Sequence, residues 1–230
     1  CNLAARQSDT KRGQAMNELV IFGIGGHARE IAQLVADINR AQPGRWNLLG
    51  FVADTQATTR TPKPLPAPML GDAWWLVQRP AVQTVIAVGA PADRRDIALR
   101  LRQAQPEQRF ATLVHPRAWL ADQVAIGEGT VVFAGALINV DVTLGAHCSI
   151  NLGCTISHDC VLGDFVSLGP GVHLAGSVTV GATTDIGTGA CVRPAISIGR
   201  DVIVGAGATV VHDIPHEYSV AGVPAKPIRS

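Results

Sequence analysis

The sequence predicts a small parallel α/β domain followed by a parallel β-helix built from hexapeptides. Three observations predict it: an aliphatic residue at every sixth position through the second half, a strand, helix, strand order in the first half, and an unusual composition. Of 230 residues, 47% are hydrophobic but only 4% are aromatic, and 24 are glycine. An interior of Val, Ile, Leu and Ala with frequent glycine suits a tightly wound solenoid.

Stepping by six from Leu120 gives Ile126, Val132, Ile138, Leu144, Ile150, Ile156, Leu162, Leu168, Leu174, Val180, Ile186, Val192, Ile198, Val204 and Val210, with no break. With roughly a quarter to a third of an average chain being Leu, Ile or Val, chance essentially never gives such a run. A second register two residues earlier is small, from Val124 and Thr130 through Cys148, Cys154 and Cys160 to Ala208. Glycine often follows the aliphatic position, as at Gly127, Gly145, Gly163 and Gly181, and is read as supplying the backbone angles of a corner. Three six-residue sides make one triangular coil, so residues eighteen apart stack. Residues 120–215 then form about five coils, a prism roughly 25 Å long at the ~4.8 Å strand spacing. A helix would show a 3.6 period, and a meander would alternate with hairpin turns.

Residues 1–15 are polar and read as a disordered extension, ahead of an α/β domain over 16–113 and the β-helix over 114–230. Leu19–Phe22 is a strand ending in Gly23-Ile24-Gly25-Gly26-His27-Ala28. A helix follows, burying Ile31, Leu34, Val35 and Ile38. Leu48–Val52 is the next strand and stops at Asp54; Val85–Val88 is a third, ending in Gly89. Arg94–Gln105 reads as a helix burying Ile97, Leu101 and Ala104, and Thr55–Pro68 as an irregular loop. This order implies a Rossmann-like parallel sheet. The G-x-G-x-x-A pattern with Asp54 suggests a dinucleotide, but the domain is too short for two mononucleotide-binding halves. A nucleotide-linked substrate, its phosphate near a helix N-terminus, is the better reading.

The charge balance of 19 Lys and Arg against 18 Asp and Glu lacks the basic stripe of a nucleic-acid binder. No apolar run approaches the ~18 residues of a membrane span, and Cys1–Thr10 lacks a signal-peptide layout, so a cytoplasmic protein is expected. Cys148, Cys154 and Cys160 fall on the small inward register, which predicts buried thiols and neither a disulfide nor a zinc site.

A β-helix brings little catalytic machinery, so candidates are ionisable residues that break the pattern. His158-Asp159, within Ile156-Ser157-His158-Asp159-Cys160, stands out: a neutral imidazole accepts a proton near pH 7, and a nearby carboxylate steadies the imidazolium. Adjacent strand residues face opposite ways, so Asp159 needs a corner to help. His147, His173, His212 and His216 read as solvated turn residues, His212 being followed by Asp213. His115 reads as a turn residue before Pro116, and His27 opens a helix where it can touch a sugar or phosphate.

Gly23-Ile24-Gly25-Gly26-His27-Ala28, Leu113-Val114-His115-Pro116, Ser157-His158-Asp159-Cys160, the hexapeptides and Gly222-Val223-Pro224-Ala225-Lys226 occur in one order over residues 17–230. In this the chain resembles the NeuD/PglD-type sugar O- and N-acetyltransferases. The resemblance implies a left-handed β-helix, a homotrimer and acetyl-CoA lying between subunits. It implies acetylation of the amino group of a nucleotide sugar, a UDP-linked 4-amino-4,6-dideoxy sugar in the first instance. It further implies His158 as general base with Asp159 tuning it, and Gly25, Gly26, His27, Asp54 and Gly89 at the nucleotide sugar. Ser167, Gly176, Thr188 and Gly205 fall at acetyl-CoA positions. Asp159 stands where the family often has Glu, Ala53 where a second acid often precedes Asp54, and Ser167 where some members have His. O-acetylation of a sialic acid and a non-catalytic sugar-nucleotide binder are the alternatives.

Overall fold

The computed structural model describes residues 16–54 and 63–228; the expectations for residues 1–15 and for Thr55–Pro62 lie outside them. Five strands form the first sheet: β1 (Asn17–Phe22), β2 (Trp46–Val52), β3 (Met69–Gly71), β4 (Gln83–Ile86) and β5 (Arg109–Phe110). Their order is β3-β2-β1-β4-β5, with every pairing parallel. Three helices complete the unit, α1 (Gly26–Ala41), α2 (Ala73–Val77) and α3 (Pro91–Ala104). β1 alternates its side chains between two cores, as an extended strand must. Leu19 and Ile21 meet Ile31, Leu34 and Val35 of α1, whereas Val20 and Phe22 meet Leu76 of α2 and Ile97 and Leu101 of α3.

Several details differ from expectation: β1 and β2 begin two residues early, at Asn17 and Trp46, and α3 spans Pro91–Ala104 rather than Arg94–Gln105. β4 ends at Ile86 rather than Val88. β3 and α2 were not foreseen, being too short to show a period. Ala104 is exposed at the end of α3, and the buried face of that helix includes Arg94 instead.

The second half winds into a left-handed β-helix of two-residue parallel strands on three faces. The first face holds the strands at Leu113–Val114, Val131–Val132, Ser149–Ile150, Ser167–Leu168, Asp185–Ile186 and Ile203–Val204. The second runs from Trp119–Leu120 to Thr209–Val210, and the third from Ala125–Ile126 to Ser197–Ile198. Partners are eighteen residues apart, as Ser149 with Ser167 and Thr155 with His173. From Val132 onward the sixth-position aliphatics are buried in one continuous column, and Cys148, Cys154 and Cys160 fill the small register beside them. Burial raises the Cys148 and Cys154 thiols to about 11, so neither is a ready nucleophile.

The corner glycines act differently from the reading given above. Left-handed backbone occurs three residues after the aliphatic position, at Gly129, Gly153, Gly171 and Gly189, but also at Asp141, His147, Asp159 and Phe165. The glycines directly after the aliphatic residue are needed for closeness. A Cβ on Gly127 would lie 2.4 Å from the Ala146 nitrogen of the next coil, and one on Gly181 2.4 Å from that of Arg200.

The α/β domain sits on the first face and its flanking corners. Val131 and Phe133 enter the core under α1. His115, read as a turn residue, does precede a turn and is also buried: Nδ1 accepts the Arg117 N–H at 2.9 Å, and Nε2 lies 3.2 Å from Asp37 Oδ2 on α1. Burial opposes the charge on Asp37. Hydrogen bonds from His115 and Gln33 and the charge of Arg40 outweigh it and hold the carboxyl below its usual value.

On the α3 side His147 corrects an expectation, being 4% exposed rather than solvated. Its ring stacks on Phe165 at 5.0 Å and meets the Phe110 ring edge-on at 4.5 Å. Burial, reinforced by Arg94 and Arg102, pushes the imidazole down to about 4. Below about pH 6.5 the unfolded chain takes up a proton that the folded protein refuses until about pH 4, so stability falls with pH across that window, by on the order of 3 kcal/mol at its foot. His147→Phe preserves the stack and is expected to flatten that part of the stability profile, measured by denaturant melts from pH 7 to 4.5. An unchanged slope would assign the acid sensitivity elsewhere.

Candidate active site

The residues expected at a nucleotide sugar converge on one edge of the first sheet. Gly25 is the N-cap of α1, with φ −78 and no side-chain cap, which leaves the first N–H groups of the helix free for a ligand. His27 Nδ1 is 3.0 Å from Glu30 Oε2, and its ring tilts onto Phe133 at 5.6 Å. That hydrogen bond, more than burial opposes it, holds the Glu30 carboxyl below its usual value. Asp54 follows β2, where Arg100 of α3 reaches its Oδ2 at 2.8 Å. Gly89 follows β4 and is exposed. Three adjacent strand ends thus present the loops, the usual place for a ligand in an open parallel sheet.

A cleft of about 470 Å³ continues from Gly26 between α1 and the corner joining the first and second faces. Arg29, Asp37, Arg117 and Asn151 line it, and Arg29 Nη1 is buried there with no hydrogen-bond partner among the described residues. Neither Arg29 nor Asn151 was singled out in the sequence, because nothing local marks an arginine or asparagine as facing a second domain. A smaller hollow of about 190 Å³, lined by Phe22, Trp74, Ile97 and Leu101, opens beside Arg100.

His158 and Asp159 occupy a corner between the second and third faces. The corner solves the problem of adjacent residues pointing apart. Asp159 has a left-handed backbone with φ 60, which swings its carboxylate back so that Oδ2 lies 2.6 Å from His158 Nδ1. An ionised carboxylate only accepts, so Nδ1–H donates and Nε2 is left with its lone pair free. Both side chains are more than half exposed. Gly176, one coil on, lies directly against the ring: a Cβ there would come within 2.6 Å of both Cε1 and Nε2. Its own N–H makes no backbone hydrogen bond among the described residues.

The residues expected at acetyl-CoA do not lie together on one corner. Gly176 lies beside His158, whereas Thr188 and Gly205 lie on the corner between the first and second faces, so the three flank the second face. Ser167 departs from that set. It is 8% exposed, its hydroxyl oxygen 2.9 Å from Arg94 Nη2 and 3.3 Å from the Gly89 carbonyl, inside the joint between the two units.

This architecture is that of the hexapeptide-repeat acyltransferases. Residues 18–101 match the family model of the PglD N-terminal domain. The acetyltransferase domain of PglB from Neisseria gonorrhoeae, solved with acetyl coenzyme A, is 33% identical over 93% of this chain and 100% of that one, with a TM-score of 0.81. PerB from Caulobacter crescentus, solved with CoA and GDP-perosamine, is 34% identical over 94% and 99% of the two chains, also with a TM-score of 0.81. WeeI from Acinetobacter baumannii shares the fold at 21% identity and a TM-score of 0.70, covering 93% of this chain and 100% of that one. No match is found among the curated proteins. The chain belongs to the PglD-type sugar acetyltransferases, acetyl-CoA-dependent enzymes of the hexapeptide-repeat class.

Because the imidazole rests on bare backbone, Gly176→Ala is expected to tilt His158 and lower acetyl transfer at least about tenfold while the coils stay folded, Gly176 having no left-handed φ. Steady-state turnover with a cooperative melt as control tests this. Undiminished turnover would show that the ring has room to shift without consequence.

Proposed function

We propose that the protein transfers the acetyl group of acetyl-CoA to the amino group of a nucleotide-linked amino sugar, a UDP-linked 4-amino-4,6-dideoxy sugar in the first instance, with His158 as general base. The observation that carries this is the exposed corner at which Asp159 Oδ2 lies 2.6 Å from His158 Nδ1 while Nε2 lies over Gly176. The relatives support the reaction class, since PglB was solved with acetyl coenzyme A and PerB with CoA and GDP-perosamine. N-transfer is favoured over O-transfer because the Caulobacter enzyme is described as a perosamine N-acetyltransferase.

The sugar amine attacks the thioester carbonyl directly. His158 Nε2 takes the amine proton as the C–N bond forms, and the Gly176 N–H, without a backbone partner among the described residues, steadies the oxyanion. Collapse breaks the C–S bond, and the imidazolium returns the proton to the departing thiolate. Holding both reactants replaces a bimolecular encounter, which supplies much of the acceleration. The buried Cys148, Cys154 and Cys160 thiols have no part in it.

The α/β domain covers the first face, while His158 lies on the corner opposite, so a second chain brings a sugar-nucleotide loop to each histidine. Exposed apolar side chains favour this. Trp119 and Leu137 are stacked neighbours on the second face, 54% and 48% exposed, and Val140 and Val161 continue the apolar surface around the His158 corner. A homotrimer with acetyl-CoA between subunits fits that surface.

Thiol release from acetyl-CoA is to be measured against UDP- and GDP-linked 4-amino sugars and sialic acid, free and CMP-linked. Turnover with an amino sugar is expected. Turnover with sialic acid alone would replace N-transfer by O-transfer, and absence of acetyl-CoA binding would remove the enzymatic reading of this chain. His158→Ala should abolish turnover yet retain both ligands, as histidine variants of the Caulobacter enzyme retain CoA and GDP-perosamine. Activity within tenfold of wild type would sink the general-base assignment. Asp159→Asn should lower the rate by less.

A further inference from the structure

Arg94 is 2% exposed, has no carboxylate in hydrogen-bond contact among the described residues, and yet makes five hydrogen bonds. Nη1 donates to the carbonyls of Val88 at 2.8 Å and Gly89 at 3.0 Å, the loop between β4 and α3. Nε donates to the His147 carbonyl at 2.9 Å, and Nη2 to the Phe165 carbonyl at 2.9 Å and to Ser167 Oγ at 2.9 Å. Ser167 in turn donates to the Gly89 carbonyl, so both lone pairs of that oxygen are taken.

The need for this cluster follows from the coils. His147 and Phe165 both have left-handed backbones, and their carbonyls accept no backbone hydrogen bond among the described residues. Covered by the α/β domain, those oxygens would be buried without partners, a state that costs far more than a hydrogen bond gains. A planar guanidinium with five N–H groups serves both at once and still reaches the loop; an ammonium does not span these directions. Desolvation lowers the group to about 10, and it remains charged at neutral pH. Asp185, the neighbour of Ser167 on the first face, has its carboxyl raised by its own burial.

From this geometry we infer that Arg94 and Ser167 are positioning residues for the nucleotide sugar, fixing the Val88–Gly89 loop to the solenoid. The inference rests on the sugar-nucleotide reading given above. It removes Ser167 from the acetyl-CoA path and gives its hydroxyl to the acceptor side. The loop stays exposed at Gly89 while its carbonyls are drawn inward. A nucleotide sugar therefore meets a loop that is already ordered, and a cation without a contacting carboxylate lies behind it, where it favours an anionic ligand.

The two assignments of Ser167 predict opposite kinetics. Ser167→Ala deletes one small hydroxyl and keeps the fold. It is expected to raise KM for the nucleotide sugar about tenfold, the equivalent of one to two hydrogen bonds, with KM for acetyl-CoA within twofold of wild type. Arg94→Lys retains the charge but not the fork and is expected to raise the same KM further, again sparing acetyl-CoA. A uniform loss of folded protein would instead lower kcat with both KM values unchanged. A rise in KM for acetyl-CoA alone, or an unchanged KM for the nucleotide sugar in Ser167→Ala, overturns the inference and leaves the functional reading standing. Wild-type enzyme that turns over no nucleotide sugar overturns the functional reading and this inference with it.

Discussion

Successive coils of the solenoid are separated by a single hydrogen-bonded strand spacing, and most of what is distinctive in this molecule follows from that close approach. Where the chain leaves a two-residue strand it runs against the backbone of the next coil, leaving no room for a Cβ at positions such as Gly145, Gly163 and Gly181. Two residues further on the backbone turns left-handed, and here the sequence spends glycine only part of the time. Asp141, His147, Asp159, Phe165 and Asp201 accept the strain of that conformation. Each places a side chain or a carbonyl where an ordinary corner would not.

Two of those corners use that conformation in opposite senses. At the corner between the second and third faces, Asp159 turns back on His158 and leaves one imidazole nitrogen facing solvent above a glycine. At the corner between the third and first faces, His147 and Phe165 form an aromatic stack under the α/β domain, and their outward carbonyls converge on Arg94. The same backbone device builds an exposed imidazole–carboxylate pair and a buried joint. What differs is whether another domain covers the corner, since burial is what drives the His147 proton off and gathers five acceptors around one guanidinium.

Much of this was legible in the chain. The six-residue period locates every inward side chain from Val132 to Val210 because a coil has one geometry and repeats it. The apolar run Leu19–Phe22 and the spacing of Ile31, Leu34, Val35 and Ile38 identify the first strand and its helix. The His158-Asp159 pair was visible as the ionisable interruption of an otherwise aliphatic lattice. His147 was misread because exposure was inferred from position on a coil, and position on a coil is silent about what lies outside it. The lattice did hold a clue: His147 and Phe165 are eighteen residues apart, so two large rings share one corner on adjacent coils where glycine or small residues are the rule.

The sequence by itself thus determined the parts whose physics is local or periodic: the coils, the strand and helix faces, the glycine-rich helix start and the pairing of a histidine with its neighbouring carboxylate. Only the tertiary structure decided which face of the prism the α/β domain covers. That choice buries Arg94, His115, His147 and Ser167 and leaves His158 open on the far edge. The reason is that desolvation and hydrogen-bond satisfaction depend on residues brought together from distant parts of the chain. Arg94 and the carbonyls of His147 and Phe165 are separated by more than fifty residues, and no local pattern records their meeting.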